Sequence, residues 1–185
     1  MSATASAAFG RPRVTPVGAL TRGAAAGLIG TLAMDVWLYG QYRRERGTEP
    51  FPEWEFSSDV TGWSEAPAPA QVGRRIVEGV FEVELPDSRA ALANNVMHWG
   101  YSVSAAMGYA TIVASLPRTR VAYGLIFGAG LWGLSYALLT PMHLYKRITE
   151  YDAKTLGKDL LAHLVFGVTT AAALSVLLSR GRRRR

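Results

Sequence analysis

The chain has 185 residues, of which 49% are hydrophobic and 18% charged, and its formal net charge is +6. It contains no cysteine, which excludes a disulfide framework, a thiolate metal site and a cysteine nucleophile. Acidic residues are absent before Asp35, between Arg89 and Glu150, and after Asp159, and long apolar runs occupy the same regions. Because the closing arginines directly follow an apolar run, they indicate a membrane anchor, and no nucleic-acid partner is expected. The composition therefore predicts a protein embedded in a lipid bilayer.

Apolar stretches of about 20 residues, the length that crosses a bilayer, recur along the chain. They predict an all-α fold: a four-helix transmembrane bundle with an extramembrane loop that contains a short amphipathic helix. In chain order we expect an N-terminal tail (1–16), a first span (17–40), a polar loop (41–89), a second span (90–116), a third span (121–144), a second loop (145–159), a fourth span (160–179) and a basic C-terminal tail (180–185). Four spans place both termini on one face, and the closing arginines favour the cytoplasm for that face.

Small residues recur at four-residue spacing in each predicted span, and such stripes let membrane helices approach closely. They predict helix packing at Gly23, Gly27 and Thr31 in the first span, Gly100, Ser104 and Gly108 in the second, Gly124 and Gly128 in the third, and Gly167, Ala171 and Ser175 in the fourth. The alternative is that the stripes only reflect how common glycine and alanine are in membrane helices.

The polar loop sets aromatic residues among prolines and acids, namely Phe51, Trp54, Phe56 and Trp63. This composition predicts a segment at the level of the lipid headgroups, as in an aromatic belt. After Pro69, apolar residues at helical spacing predict an amphipathic helix near residues 70–82. We expect it to lie on the membrane or to cap the bundle, although a peripheral helix without a binding role has the same pattern.

Two features mark the end of the third span and the start of the fourth. Pro141 removes a backbone hydrogen bond and predicts a kink near the end of the third span. Beyond it, a helix is expected to begin near Asp152 and to run into the fourth span.

Polar side chains inside a predicted span cost free energy unless they are paired. Asp35 and His163 continue the small-residue stripes of their helices by one step of four, so both are expected to face the bundle interior. Connectivity places the histidines of all the spans near the loop-side ends of their helices. The sequence therefore predicts one polar intramembrane cluster, formed by Asp35, Asn94, Asn95, His98, His143 and His163.

Three hypotheses for function fit such a cluster. The first is a non-catalytic membrane protein with a structural or interaction role, as a homo-oligomer or with a membrane partner protein. The second is a histidine-centred proton sensor or small-ion pathway, because histidine titrates near neutral pH. The third is a metal- or haem-binding redox protein, with His98, His143, His163 and Asp35 as candidate metal ligands and Asp159 orienting His163.

Signatures of catalysis are missing from the sequence. It has no nucleophile elbow, no phosphate loop and no dinucleotide glycine fingerprint. The spacing of the histidines matches no recognised metal motif either. We therefore expect no catalytic residues and no cofactor, and Glu53 and Glu55 are interpreted as solvated loop acids.

Several short motifs carry a resemblance to known groups. The chain resembles small actinobacterial-type four-span membrane proteins of unassigned function in the order of "GTLAMDVWLYGQYRR", "WEF", "APAPAQVGRR", "NNVMHWGY", "YDAKTL" and "KDLLAHL". More distantly, the stretch from "NNVMHWGY" to "KDLLAHLVFG" is similar in layout to the YagU-type bacterial inner-membrane proteins. The resemblance implies a multi-pass protein of the bacterial cytoplasmic (inner) membrane. The second group is associated with acid tolerance, which favours the proton-sensor hypothesis.

Overall fold

The computed structural model describes residues 14–116 and 120–183, and over these ranges it contains helices and no β-strand. The helices are α1 (Pro16–Arg44), α2 (Phe51–Glu55), α3 (Ala68–Phe81), α4 (Ala90–Ala114), α5 (Tyr123–Leu139) and α6 (Ala153–Arg183), with single 3₁₀ turns at Asp87–Arg89 and Ile148–Glu150. The all-α prediction is confirmed. Most of the predicted N-terminal tail and the last two arginines of the basic tail lie outside the described residues.

The ends of the long helices follow from local sequence. Thr15 caps α1, because its Oγ1 accepts a hydrogen bond from the backbone N–H of Gly18 at 3.1 Å. Asp152 precedes α6 and accepts hydrogen bonds from the backbone N–H and the hydroxyl of Thr155 at 3.0 and 2.6 Å. The helix predicted to start near Asp152 therefore begins at Ala153 and is the first part of α6.

The predicted kink at Pro141 is wrong. α5 ends at Leu139, two residues before the proline, so that Pro141 lies beyond the helix and the predicted third span (121–144) is too long. Thr140 still has helical dihedral angles, with φ −63° and ψ −50°, but Pro141 has no backbone N–H with which to continue the helical hydrogen bonds. His143 follows in the left-handed region, with a φ of 56°.

The four long helices pack in the order α4, α1, α6, α5, and each is antiparallel to its neighbours in this order. Small residues set the α1–α4 and α5–α6 contacts. A Cβ added at Gly23 would lie 2.7 Å from that of Ala110, and one added at Gly27 would lie 2.7 Å from that of Ala106. On the other side of the bundle, Gly124 and Gly128 of α5 lie directly against the backbone of α6 near Gly167 and His163, and Ala171 is buried in the core.

In α4 the predicted stripe lies on the wrong face. Gly100, Ser104 and Gly108 are exposed, and a Cβ added at either glycine would meet nothing within 4 Å. The face that packs on α1 carries Ser102, Ala106 and Ala110, which are buried. Since α4 has small residues on both faces, spacing alone does not identify the face that meets another helix.

Two helices, Pro16–Arg44 and Ala153–Ser179, are long and apolar enough to cross a membrane by length and composition. The 17-residue α5 is apolar but shorter. All four long helices expose large apolar side chains on their outer faces, among them Leu32, Val36, Val96, Ile112, Ile126, Leu161 and Val176. Four membrane spans stay a prediction.

The loop between α1 and α4 has a small core of its own. Trp63 is 6% exposed, packs with Ala70 and Ala90, and donates from Nε1 to the carbonyl of Leu85 at 2.9 Å. The aromatic-belt interpretation is therefore wrong for Trp63, which lies against protein. Its burial has no signature in the sequence, because an interfacial and a buried tryptophan look alike there.

α3 forms close to the range predicted for the amphipathic helix and packs on α4. Its small residues Ala70 and Gly73 are buried at this contact, while Ile76, Val80 and Phe81 stay exposed. Arg75 reaches the far side of the bundle, where its Nη1 donates to the carbonyl of Met142 at 2.7 Å. α3 therefore spans from α4 to the segment after α5 across the loop-side end of the bundle.

Candidate functional site

The α1–α4 register brings Asp35 and His98 together. Each step of four along α1 corresponds to a step of four back along α4, so the contacts of Gly23 and Gly27 with Ala110 and Ala106 lead on to Asp35 and His98. His98 Nε2 lies 3.0 and 3.1 Å from the two carboxyl oxygens of Asp35. Asp35 is only 2% exposed, so His98 supplies the hydrogen bonds that its buried carboxylate needs.

Glu55, at the end of α2, completes this group and was missed by the sequence interpretation. Its Oε1 accepts a hydrogen bond from the indole Nε1 of Trp99 at 3.0 Å. Burial and the nearby charge of Asp35 raise the pKa of Glu55 from 4.5 to about 6, against smaller opposing effects of Trp99 and His98. Nothing in the sequence distinguished Glu55 from Glu53, because the position depends on how the loop folds back over α4.

Asn94 and Asn95 hold the loop residues that follow Glu55. Asn94 Nδ2 donates to the hydroxyl of Ser57 at 2.8 Å, and Asn95 Nδ2 donates to the carbonyl of Phe56 at 2.9 Å. Ser57 is buried and has a φ of 54°, in the left-handed region. The first turns of α4 therefore bind the segment 55–57 through the side chains of Asn94, Asn95 and Trp99. We call the contacts of Asp35, Glu55, Phe56 and Ser57 with Asn94, Asn95, His98 and Trp99 the loop clasp.

His163 belongs to a second polar group, on α5 and α6. Its Nδ1 donates to the backbone carbonyl of Asp159 at 2.8 Å and lies 3.4 Å from the carboxyl Oδ1 of the same residue. The other carboxyl oxygen of Asp159 accepts from the hydroxyl of Tyr136 at 3.0 Å. Asp159 therefore orients His163, as its four-residue spacing suggests, but within a group that is separate from the loop clasp.

His143 joins neither group. It is exposed in the turn after α5, so the prediction that it belongs to an intramembrane cluster is wrong. The error follows from the end of α5, since a helix continuing to residue 144 would have carried His143 along its inner face. The single predicted cluster is thus divided into the loop clasp, the Asp159–His163 group and an isolated histidine.

The candidate metal ligands do not converge. Within residues 14–116 and 120–183, no three His, Asp or Glu side chains are grouped as a metal site requires. His98 uses Nε2 for Asp35, and His163 uses Nδ1 for a backbone carbonyl. The geometry therefore favours hydrogen-bonded roles for both histidines over metal ligation.

Comparisons with protein-family models, with curated proteins and with solved structures find no match. The described residues offer a buried carboxylate–imidazole pair beneath a docked loop, and a half-buried glutamate whose proton affinity depends on that docking.

Proposed function

We propose that the chain is a multi-span integral protein of a bacterial-type inner membrane, without catalytic activity, with four spans formed by α1, α4, α5 and α6. The large apolar side chains exposed on the outer faces of these helices support this, because exposed apolar surface commonly marks a site of contact with lipid or protein. The antiparallel order of the helices supports a common face for the two loops. Lipid is the partner that this surface fits.

The topology can be tested with single cysteines. Cysteines at Ser58, in the loop, and at Ser179, near the end of α6, are both at exposed positions. In sealed, oriented vesicles we expect an impermeant maleimide to label one of them from outside and the other only after permeabilisation. Labelling of both from the same side would contradict the four-span arrangement.

We further propose that the loop clasp is proton-responsive, so that the loop binds the bundle more tightly as the pH falls. The observation that carries this is the position of Glu55, whose carboxyl group lies beside Asp35 and His98 and accepts from Trp99. Two carboxylates close together in a poorly hydrated place repel each other, and protonation of one relieves the repulsion. The segment 55–57 would then be docked on α4 at low pH and released at higher pH.

The direction of the pH dependence follows from linkage. The docked state raises the pKa of Glu55 from 4.5 to about 6, so it binds the proton more tightly than the released state. Docking is therefore strongest below pH 4.5 and weakens as the pH rises through about 6. Asp35, His98 and Trp99 are the groups that act on Glu55 in this range.

Hydrogen exchange of residues 51–57 tests the proposal. After correction for the intrinsic pH dependence of exchange, protection is expected to fall between pH 5 and pH 7 with a midpoint near 6. Glu55→Gln keeps a hydrogen-bond acceptor for Trp99 but does not titrate, so its protection is expected to stay constant over this range.

Glu53→Gln is the matched control, because Glu53 lies on the same short helix and is exposed. It is expected to leave the midpoint unchanged. A midpoint that persists in Glu55→Gln, or that disappears in Glu53→Gln, would show that another group controls docking.

A further inference from the structure

A cavity of about 370 Å³ lies among the loop-side halves of the four long helices. Residues from all four helices line it, and Pro69 and Val72 of α3 contribute to its wall. The lining is mainly apolar, with Met34, Leu38, Met97, Leu131 and Phe166 among its members. Volume and lining are those of a small-molecule site, since such sites are mostly apolar with a few placed polar groups.

The cavity lies on the loop side of the contact between α4 and α5. α4 and α5 meet through Tyr109 and Phe127, whose stacked rings have centroids 4.4 Å apart. Nearer the loop, both helices line the cavity, with Ser102 and Tyr101 on α4 and Ser135 on α5. Tyr101 is 45% exposed, so the cavity adjoins the outer surface of the bundle beside α4. In the proposed four-span arrangement this surface faces lipid, from which an apolar molecule would enter the cavity.

The polar atoms in the cavity wall indicate which polar group a bound molecule would carry. His98 and His163 both line the cavity, and each uses one ring nitrogen for an acceptor within the protein, Asp35 or the Asp159 carbonyl. A neutral imidazole that donates from Nδ1 has a lone pair on Nε2, so His163 can accept one further hydrogen bond. The walls thus favour a ligand that donates hydrogen bonds.

The charge of the lining disfavours an anionic head group. Asp159 is the acidic residue in the lining, and no lysine or arginine is among the described residues that line the cavity. A carboxylate or phosphate head would face Asp159, and the described lining holds no lysine or arginine that would offset the repulsion. A hydroxyl head avoids that repulsion and can donate to an imidazole nitrogen.

We propose that this cavity binds an uncharged, single-chain amphiphile with a hydroxyl head, a long-chain alcohol in its simplest form, with the hydroxyl near His163 and the chain along the apolar wall. The proposal rests on the cavity, its lining and the proposed membrane location, and does not depend on proton-responsive docking of the loop. If the cavity bound no such ligand, the proposed proton response of the loop clasp would be unaffected. If the loop clasp did not respond to protons, the proposed ligand site would be unaffected.

Binding can be measured with the full chain in lipid nanodiscs, using radiolabelled dodecanol and protein-free nanodiscs as the partition background. We expect one saturable site per chain, and an affinity for dodecanoate at least about tenfold weaker, equivalent to about 1.4 kcal/mol. Equal binding of the two ligands, or no saturable component, would overturn the proposal.

Two substitutions locate the site. Ser135→Leu adds volume inside the cavity and is expected to weaken dodecanol binding at least about tenfold. Ser104→Leu makes the same change on the exposed face of α4 and is expected to leave the affinity unchanged. Normal binding by Ser135→Leu would place the ligand elsewhere.

Photolabelling of the unsubstituted protein makes the result independent of how the variants fold. A dodecanol with a diazirine on its chain is expected to label peptides that contain Met97 or Leu131. Excess dodecanol is expected to prevent this labelling, and excess dodecanoate is not. Labelling confined to the outer, lipid-facing positions would refute the cavity as the binding site.

Discussion

Gly167→Ala is expected to destabilise the contact between α5 and α6 by about 3 kcal/mol, the upper part of the range for overpacking. A Cβ at this position would run into the carbonyl oxygen of Gly124 and would lie 2.7 Å from the backbone nitrogen of Gly128. Both neighbours are backbone atoms in a helix, so neither can move aside as a flexible side chain would. The two helices have to separate.

Gly157→Ala provides the control on the same helix. A Cβ there would meet nothing within 4 Å, so alanine is expected to stabilise α6 slightly through its higher helix propensity, by up to about 1 kcal/mol. Both variants can be compared by unfolding in mixed detergent micelles, followed by circular dichroism. Equal stability of the two variants would contradict the close α5–α6 crossing at Gly167.

Helices and their approximate order could be predicted because apolar length and periodicity are local properties. The sequence placed Asp35 and His98 in one polar cluster, although not as a direct pair, because the step of four that marks the Gly23–Gly27 stripe also turns Asp35 toward the bundle interior. In α4 the same reasoning selected the exposed face at Gly100. A periodic pattern gives the spacing of a face, and only the partner helix decides which face is buried.

The parts of the site that could not be predicted depend on chain that is not periodic. Glu55 is an ordinary loop acid in the sequence, and its raised pKa arises only when the segment 55–57 folds onto α4. His143 was misplaced because the predicted third span ended at residue 144, five residues beyond the end of α5 at Leu139. The sequence therefore predicted that the helices exist, but it did not predict where α5 ends or how the loop docks on α4.

Breaking the Asp35–His98 pair is expected to have an effect of similar size to that of Gly167→Ala. In His98→Leu the carboxylate of Asp35, which is 2% exposed, loses the imidazole that supplies its hydrogen bonds. Removing one partner of a buried ion pair typically costs about 3 kcal/mol or more. Asp35→Leu leaves a neutral imidazole that is partly exposed, so its cost is expected to be smaller, about 1 kcal/mol.

The double substitution gives the decisive measurement. With Leu at both positions no unpaired polar group is left at the α1–α4 contact, and replacing a buried pair by apolar residues is often close to neutral. We therefore expect the double variant to be more stable than His98→Leu alone, with a coupling energy of at least about 1 kcal/mol in unfolding from mixed micelles. Asp35→Leu combined with Ser104→Leu, a change on the exposed face of α4, is expected to be additive. If the Asp35–His98 cycle is additive as well, the two side chains are not partners, and the α1–α4 register that places them together is wrong.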